Sequence, residues 1–338
     1  MAYTTINKST ANFNTLLYTA TGTQSVTGAG FQPDISWVKP RSATGSHYIA
    51  DAVRGATKTI SSNNTSAEGT QNLFTSFDSD GVSLGSDNWS DNRTAVIWNW
   101  KAGGTGSANT DGSINSTVSA NTTAGFSIVK YTGNQTSGAT VGHGLGAVPA
   151  MFIVKNLNDA ESWQVYHKNL TSASYHLVLS SNVGQASNTS RWNGVAPTNQ
   201  VFTLGNNDTV NNVNIPYIAY CFAEKKGYSK IGTYFGNGNA DGTFVYTGFK
   251  PAFIILKKTN DTANWMIHDN KRLGYNVDNN NLKPNTNEAE ATADTLDILS
   301  NGFKLRTSGS GENNGKFIYM AFAEEPLVGS NNIPATAR

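Results

Sequence analysis

A chain of 338 residues exceeds what one ordinary core of about 100 to 200 residues holds, so several cores are expected. Only 14% of the residues are charged, so Asn, Thr, Ser and Gly must cover most of the surface, a composition suited to strands and turns and poor in helix-coating residues. A net charge of +1 argues against a nucleic-acid partner, no stretch is apolar enough for a membrane span, Met1 to Thr10 lacks the features of a secretion signal, and the single Cys221 excludes an intrachain disulfide.

In chain order, the first predicted strand is Phe13 to Tyr18, followed by a Gly-bearing turn and the run from Gly30 through Pro33 to Lys39. His47 stands eight residues after that lysine, the segment Asp80 to Leu84 comes next, and Val96 to Trp100 closes the unit with large apolar residues at every second position, the period of a strand with one buried face. The stretch Gly103 to Ala124 is Gly, Ser, Thr and Asn with almost nothing apolar, which predicts a linker or long loop. The same order of elements then returns twice: Phe126 to Tyr131, Gly146 to Lys155, Trp163, Gln200 to Leu204 and Ile218 to Phe222; and Tyr228 to Tyr234, Gly248 to Lys257, Trp265, Asn301 to Leu305 and Ile318 to Phe322.

Equal offsets across three copies imply equal hairpins. The expected fold is therefore all-β, three tandem β-sandwich, jelly-roll-like repeat modules of about six to eight strands each. Their bounds are 1–104 for the first with a short N-terminal segment, 105–124 for the linker, 125–226 and 227–326 for the second and third, and 327–338 for a C-terminal tail. With that spacing, the second and third modules are expected to pack rigidly and the first to reorient more freely.

The residues that could carry chemistry are sparse. Asp78 and Asp80 precede Gly81 in a segment that reads as a turn, and Glu288, Glu290, Asp294 and Asp297 lie in an Ala/Glu/Thr-rich stretch with the character of a helical turn and a solvated face. The five histidines show no metal-ligand spacing and read as structural, so no metal, no cofactor and no catalytic residue is expected. Asp51-x-x-Arg54 and Asp269-x-x-Arg272 suit a local, exposed ion pair bracing a turn. Trp37, Trp98, Trp100, Trp163 and Trp265 recur at matched positions and belong to cores. Trp89 and Trp192 have no counterparts and lie in polar loops, so they, with Arg191 beside Trp192, are the candidate contacts for a ligand or neighbouring subunit.

The strings GFQPDISWVK, ADAVRGATK, AVIWNWKAGG, GHGLGAVPAMFIVKN, YIAYCFAEKKGYSKIGTY and FVYTGFKPAFIILKK resemble a family of phage-encoded repeat proteins of marine and cyanobacterial phages, over nearly the entire chain. That resemblance implies a virion structural or tail-fibre-like component, found in the virion after assembly in the host bacterial cytoplasm. Its expected partners are other virion proteins, further copies of itself as a homotrimer, and host surface glycan. The alternatives are a decoration or cement protein of the head and, more remotely, a polysaccharide depolymerase; the family supplies no catalytic residues.

Overall fold

The computed structural model describes residues 4–272, 276, 280–326 and 328, and its regular structure is almost entirely antiparallel β. A single 3-10 turn at Ser9–Ala11 leads into the strands of the first repeat. They are β1 (Phe13–Thr19), β2 (Gln24–Thr27), β3 (Ile35–Pro40), β4 (Tyr48–Asp51), β5 (Gly55–Ser61), β6 (Gly69–Thr70), β7 (Phe74–Asp78), β8 (Gly81–Leu84) and β9 (Thr94–Trp100). Six of them form a sheet in the order β1-β9-β3-β4-β5-β6, and three a smaller one in the order β2-β8-β7. The β7–β8 turn is the one foreseen at Asp78 to Gly81: Gly81 has φ +150°, and a Cβ there would collide with the Val26 carbonyl across the sheet.

The next elements are β10 (Ser107–Asn109), β11 (Ser116–Asn121), β12 (Phe126–Thr132), β13 (Thr140–Gly142), β14 (Met151–Asn156), β15 (Gln164–His167), β16 (Tyr175–Val178), β17 (Ala186–Ser187), α1 (Thr189–Trp192), β18 (Val201–Thr203), α2 (Asp208–Asn211) and β19 (Pro216–Phe222). Here the large sheet runs β10-β11-β12-β19-β14-β15-β16-β17 and the small one is β13-β18. The last set is β20 (Ser229–Asn237), β21 (Phe244–Tyr246), β22 (Pro251–Lys258), β23 (Met266–Asp269), β24 (Asn280–Asn281), β25 (Ala291–Thr292), β26 (Leu296–Leu299), β27 (Gly302–Leu305) and β28 (Asn314–Ala323). They give sheets β20-β28-β22-β23 and β21-β27-β26 and the pair β24-β25. One order, opening strand beside closing strand beside the Pro-to-Lys strand, thus recurs as β1-β9-β3-β4, β12-β19-β14-β15 and β20-β28-β22-β23.

The segment 105–124 is not a linker: β10 and β11 form a ribbon that adds to the edge of β12, in register from Ser116↔Tyr131 to Asn121↔Phe126. Its Ser and Thr suit an edge strand, and Ile114 and Val118 supply the buried contacts that anchor it. The acidic stretch Glu288 to Asp297 forms no helical turn either; it contributes β25 and the start of β26. The expected tail, 327–338, lies outside the described residues except for Val328.

The closing strands were expected to bury one face, and they bury both. Along β9, Val96, Trp98 and Trp100 join one core while Ile97 joins another; along β19, Ile218, Tyr220 and Phe222 are divided from Tyr217, Ala219 and Cys221 in the same way. In β28 the first set is Ile318, Met320 and Phe322, and the second is Phe317, Tyr319 and Ala321. The second set of each strand packs against the small sheet of its own repeat. The first sets of all three repeats meet in one shared core, where Phe13, Trp100, Phe253 and Phe322 crowd within ring-centroid distances of 4.9 to 6.3 Å. The five matched tryptophans are all buried, and they belong to this common core rather than to three separate ones.

Bonds across the repeats follow a cyclic rule. The amide of Glu68 in repeat one donates to Leu157 O in repeat two, that of Gln185 in repeat two to Thr259 O in repeat three, and that of Glu290 in repeat three to Arg41 O in repeat one. Each acceptor lies two residues after the lysine of its repeat, Lys155, Lys257 or Lys39. The residue eight after that lysine repeats the rule: Trp163 Nε1 donates to Ser61 O at 2.9 Å and Trp265 Nε1 to Val178 O at 3.0 Å, while His47 faces the Lys283 backbone without reaching hydrogen-bond geometry. Three seams therefore close a ring. Repeat one is held on both sides, because its sheet face is part of the shared core, and it packs against both other repeats as they pack against each other.

Candidate functional site

The three contacts expected from the sequence go to different places. Trp192 is fully buried: the Asn188 side chain accepts the Ser190 N–H, starting the one-turn helix α1, and the turn drives the indole against Phe152, ring centroids 4.8 Å apart. The polar neighbours that suggested a surface loop are caps, so Trp192 cannot contact a ligand. Arg191 lies partly buried with Nε on Gln164 Oε1 at 3.0 Å, and burial lowers the pKa of its guanidinium. Trp89 is half-buried against the core of the first repeat, with the Arg93 guanidinium 5.6 Å from its ring, itself paired with Asp91.

The recurring charged residues brace the ring. Arg54 Nε lies 2.5 Å from Asp51 Oδ2 and Arg272 Nε 2.7 Å from Asp269 Oδ2, and all four side chains are essentially without solvent exposure. These are the pairs expected to be exposed. They are buried because each aspartate also receives a donor from the neighbouring repeat: Tyr220 Oη donates to Asp51 at 2.8 Å, and Trp98 Nε1 to Asp269 at 2.9 Å. Glu290, expected on a solvated face, joins Arg272 and Arg41 across the seam of repeats three and one.

Lys39, Lys155 and Lys257 are fully buried, with Nζ donating to the carbonyl of the following residue at 2.9, 2.5 and 2.8 Å. Burial lowers each ammonium to about 8. A lowered lysine pKa suits nucleophilic chemistry where substrate can reach it, but these amines are capped by backbone and closed to solvent, so they tie strand ends instead. All five histidines are buried as well, and Cys221 sits in the second repeat's own core with its thiol pushed up by burial. Among the described residues no three His, Cys, Asp or Glu side chains converge as a metal-binding group.

What stands out on the surface is aromatic and lies in the third repeat. Among the described residues the strongly exposed aromatic side chains are Phe235 at 68%, Tyr246 at 63% and Phe244 at 45%. Phe244 and Tyr246 flank the buried Val245 on β21, so both point outward on the solvent face of the small sheet, about 7 Å apart along the strand. Thr243 Oγ1 donates to Phe235 O at 2.7 Å, which sets the end of β20 beside the start of β21, but the Phe235 side chain follows the parity of Ile231 toward the shared-core side of its sheet, apart from the face that Phe244 and Tyr246 share. Lys304 stands opposite Phe244 in the register and pairs with Asp241, whose carboxyl it holds below the usual range. On the other flank, Tyr246 borders a cavity of about 280 Å³ with Glu224, Lys226 and Lys230 in its wall. Rigid rings at strand spacing, rimmed by charged and hydroxyl groups, form a platform for stacking a ligand with an apolar face and hydroxyl edges.

Sequence reasoning missed these residues, although a signal was present. By the sheet registers, Phe235 occupies the place of Thr19 and Thr132, Phe244 that of Ser25 and Thr140, and Tyr246 that of Thr27 and Gly142. Aromatic residues stand where the sister repeats carry small or hydroxyl residues.

The chain belongs to the family defined by a domain of unknown function, DUF7483, whose model matches residues 8–326. Searches of curated proteins and of solved structures returned no match.

Proposed function

We propose that this protein is a non-catalytic virion component of phage, tail-fibre-like, that contacts host surface polysaccharide through the exposed face of its third repeat. In this reading the chain is three tandem β-sandwich modules with jelly-roll-like packing, 1–104, 125–226 and 227–326. The observation that carries the proposal is the pair Phe244 and Tyr246, exposed side by side on the outer face of β21 in a fold that, among the described residues, covers most of its other large aromatics wholly or in part. Support for the phage assignment comes from the resemblance of the repeat motifs. Affinity at one such face is modest, and many copies on one particle, in homotrimers or otherwise, raise it through effective concentration.

The test is a pull-down of the purified protein on host surface polysaccharide, together with gold labelling of the protein in intact virions. Retention on the polysaccharide and label at the tail are expected. Label spread over the capsid, with no retention, would reassign the aromatic face to contact with neighbouring capsid subunits, as a decoration protein requires; release of reducing ends would replace binding by depolymerisation.

A further inference from the structure

The three seams share one plan, and the plan changes at one of them. Asp51 lies opposite Ile35 and Asp269 opposite Phe253; the residue in that place in repeat two, opposite Met151, is His167. Arg54 spans Asp51 and Glu68, and Arg272 spans Asp269 and Glu290. In repeat two Leu170 takes the arginine place and turns into the shared core, and Gln185 takes the glutamate place. The Gln185 amide closes on Thr171, accepting its N–H at 3.0 Å and donating to its hydroxyl at 2.9 Å. This seam therefore has no arginine bridging an aspartate and a glutamate, as the other two have.

A cleft of about 390 Å³ borders Gln185 at this seam, with Thr171, Tyr175 and Gln185 on the side of repeat two and Asn260, Asp261 and Thr262 on the side of repeat three. Its size is at the small end of the range for ligand pockets, about 300 to 1,000 Å³. Asn260 Oδ1 is engaged by the Lys316 amide, which leaves its NH2 group to donate. Asp261 accepts the Thr262 N–H at 2.7 Å and Lys258 Nζ at 3.2 Å, which leaves further lone pairs on its carboxylate. Tyr175 packs one side on the shared core and is only partly covered on the other. Amide, carboxylate, hydroxyl and one ring are the groups that hold a polyol; the carboxylate disfavours an anion, and an apolar ligand finds little apolar wall.

We infer that this cleft is a second site, apart from the aromatic face of repeat three, for a neutral, hydroxyl-rich ligand of one or two sugar rings. Asp261 and Asn260 hold the hydroxyls and Tyr175 carries a ring face. The probes are methyl glucoside, methyl galactoside and methyl mannoside, titrated into the full chain while the side-chain amide signals of Gln185 and Asn260 are followed by NMR, with glucuronate as the anionic control. At least one neutral glycoside is expected to shift both signals with a Kd of about 1 mM, and glucuronate to shift neither. Asp261→Asn and Tyr175→Ala are each expected to weaken binding about tenfold, and Phe244→Ala with Tyr246→Ala to leave it unchanged. Should Tyr175→Ala fail to fold, Asp261→Asn, at an exposed position, decides alone. Silence of both amides toward all three glycosides, equal binding of glucuronate, or full affinity in Asp261→Asn overturns the site. Loss of binding in the Phe244 and Tyr246 variants overturns it as well, and moves the sugar to the other face.

Discussion

The shared core and the outer face of the third repeat are built from the same strands under opposite rules. In the core the repeats agree: Trp98, Tyr220 and Met320, or Trp100, Phe222 and Phe322, occupy matching places and meet around one centre. On the outer face they disagree, with rings in the third repeat where the first and second carry Thr, Ser or Gly. Agreement marks what closes the ring; departure marks where the third repeat differs from its sisters. The two regions should therefore respond to substitution in different currencies, stability for one and binding for the other.

The largest effect is expected at Trp98, the indole that both fills the core and bonds Asp269. Trp98→Ala should cost about 3 to 5 kcal/mol in chemical unfolding, for the cavity alone. A loss below about 1 kcal/mol, the level of ordinary surface change, would break the claim of a common core.

Arg272→Met comes next, since it strands the Asp269 carboxylate in the interior; the expected loss is about 3 kcal/mol. Paired with Trp98→Ala it should be markedly non-additive, because the two side chains share Asp269. Simple additivity in that double-variant cycle would show that the seam is not one network.

Acid should sharpen the comparison further. Burial lowers His167 to about 3 and His176 to about 4, and both serve the second repeat, His167 facing Tyr319 O across the seam to the third. Each folded-state pKa is depressed, so the unfolded chain takes up the proton near 6.5 and the fold resists it. Stability is then full above about pH 6.5 and declines as the pH falls from there toward 4 and 3, by about 2 kcal/mol at about pH 5 for His167 alone. His167→Gln should flatten that decline; an unchanged pH profile of the melting temperature would show that the imidazole is not held neutral by the seam.

Much of the fold was legible, since period-two strands, Gly turns and fixed lysine, tryptophan and proline offsets are local features of each copy. The cyclic closure was not. A strand with Trp98 and Ile97 on its two faces looks the same whether the second face meets a neighbouring module of the chain or nothing, and only contact in space decides it. The ribbon β10–β11 was hidden for a related reason: edge strands need little apolar content, so Ser107 to Asn121 resembles a flexible segment until β12 is seen to lack another partner on that side. Trp192 misled through its polar neighbours, which serve as helix caps. The exposed rings could have been found by comparing the copies position by position, because Phe235 against Thr19 and Thr132 is visible once the registers are aligned.

The most direct test exchanges the third repeat's outer face for that of its sisters, as the combined variant Phe244→Thr and Tyr246→Thr. Adsorption of the protein to host cells is predicted to fall at least tenfold while the melting temperature stays within about 2 °C, since surface changes rarely exceed about 0.5 kcal/mol. Undiminished adsorption, or a loss of adsorption that accompanies unfolding, would contradict the division between a ring-building core and a ligand-bearing face.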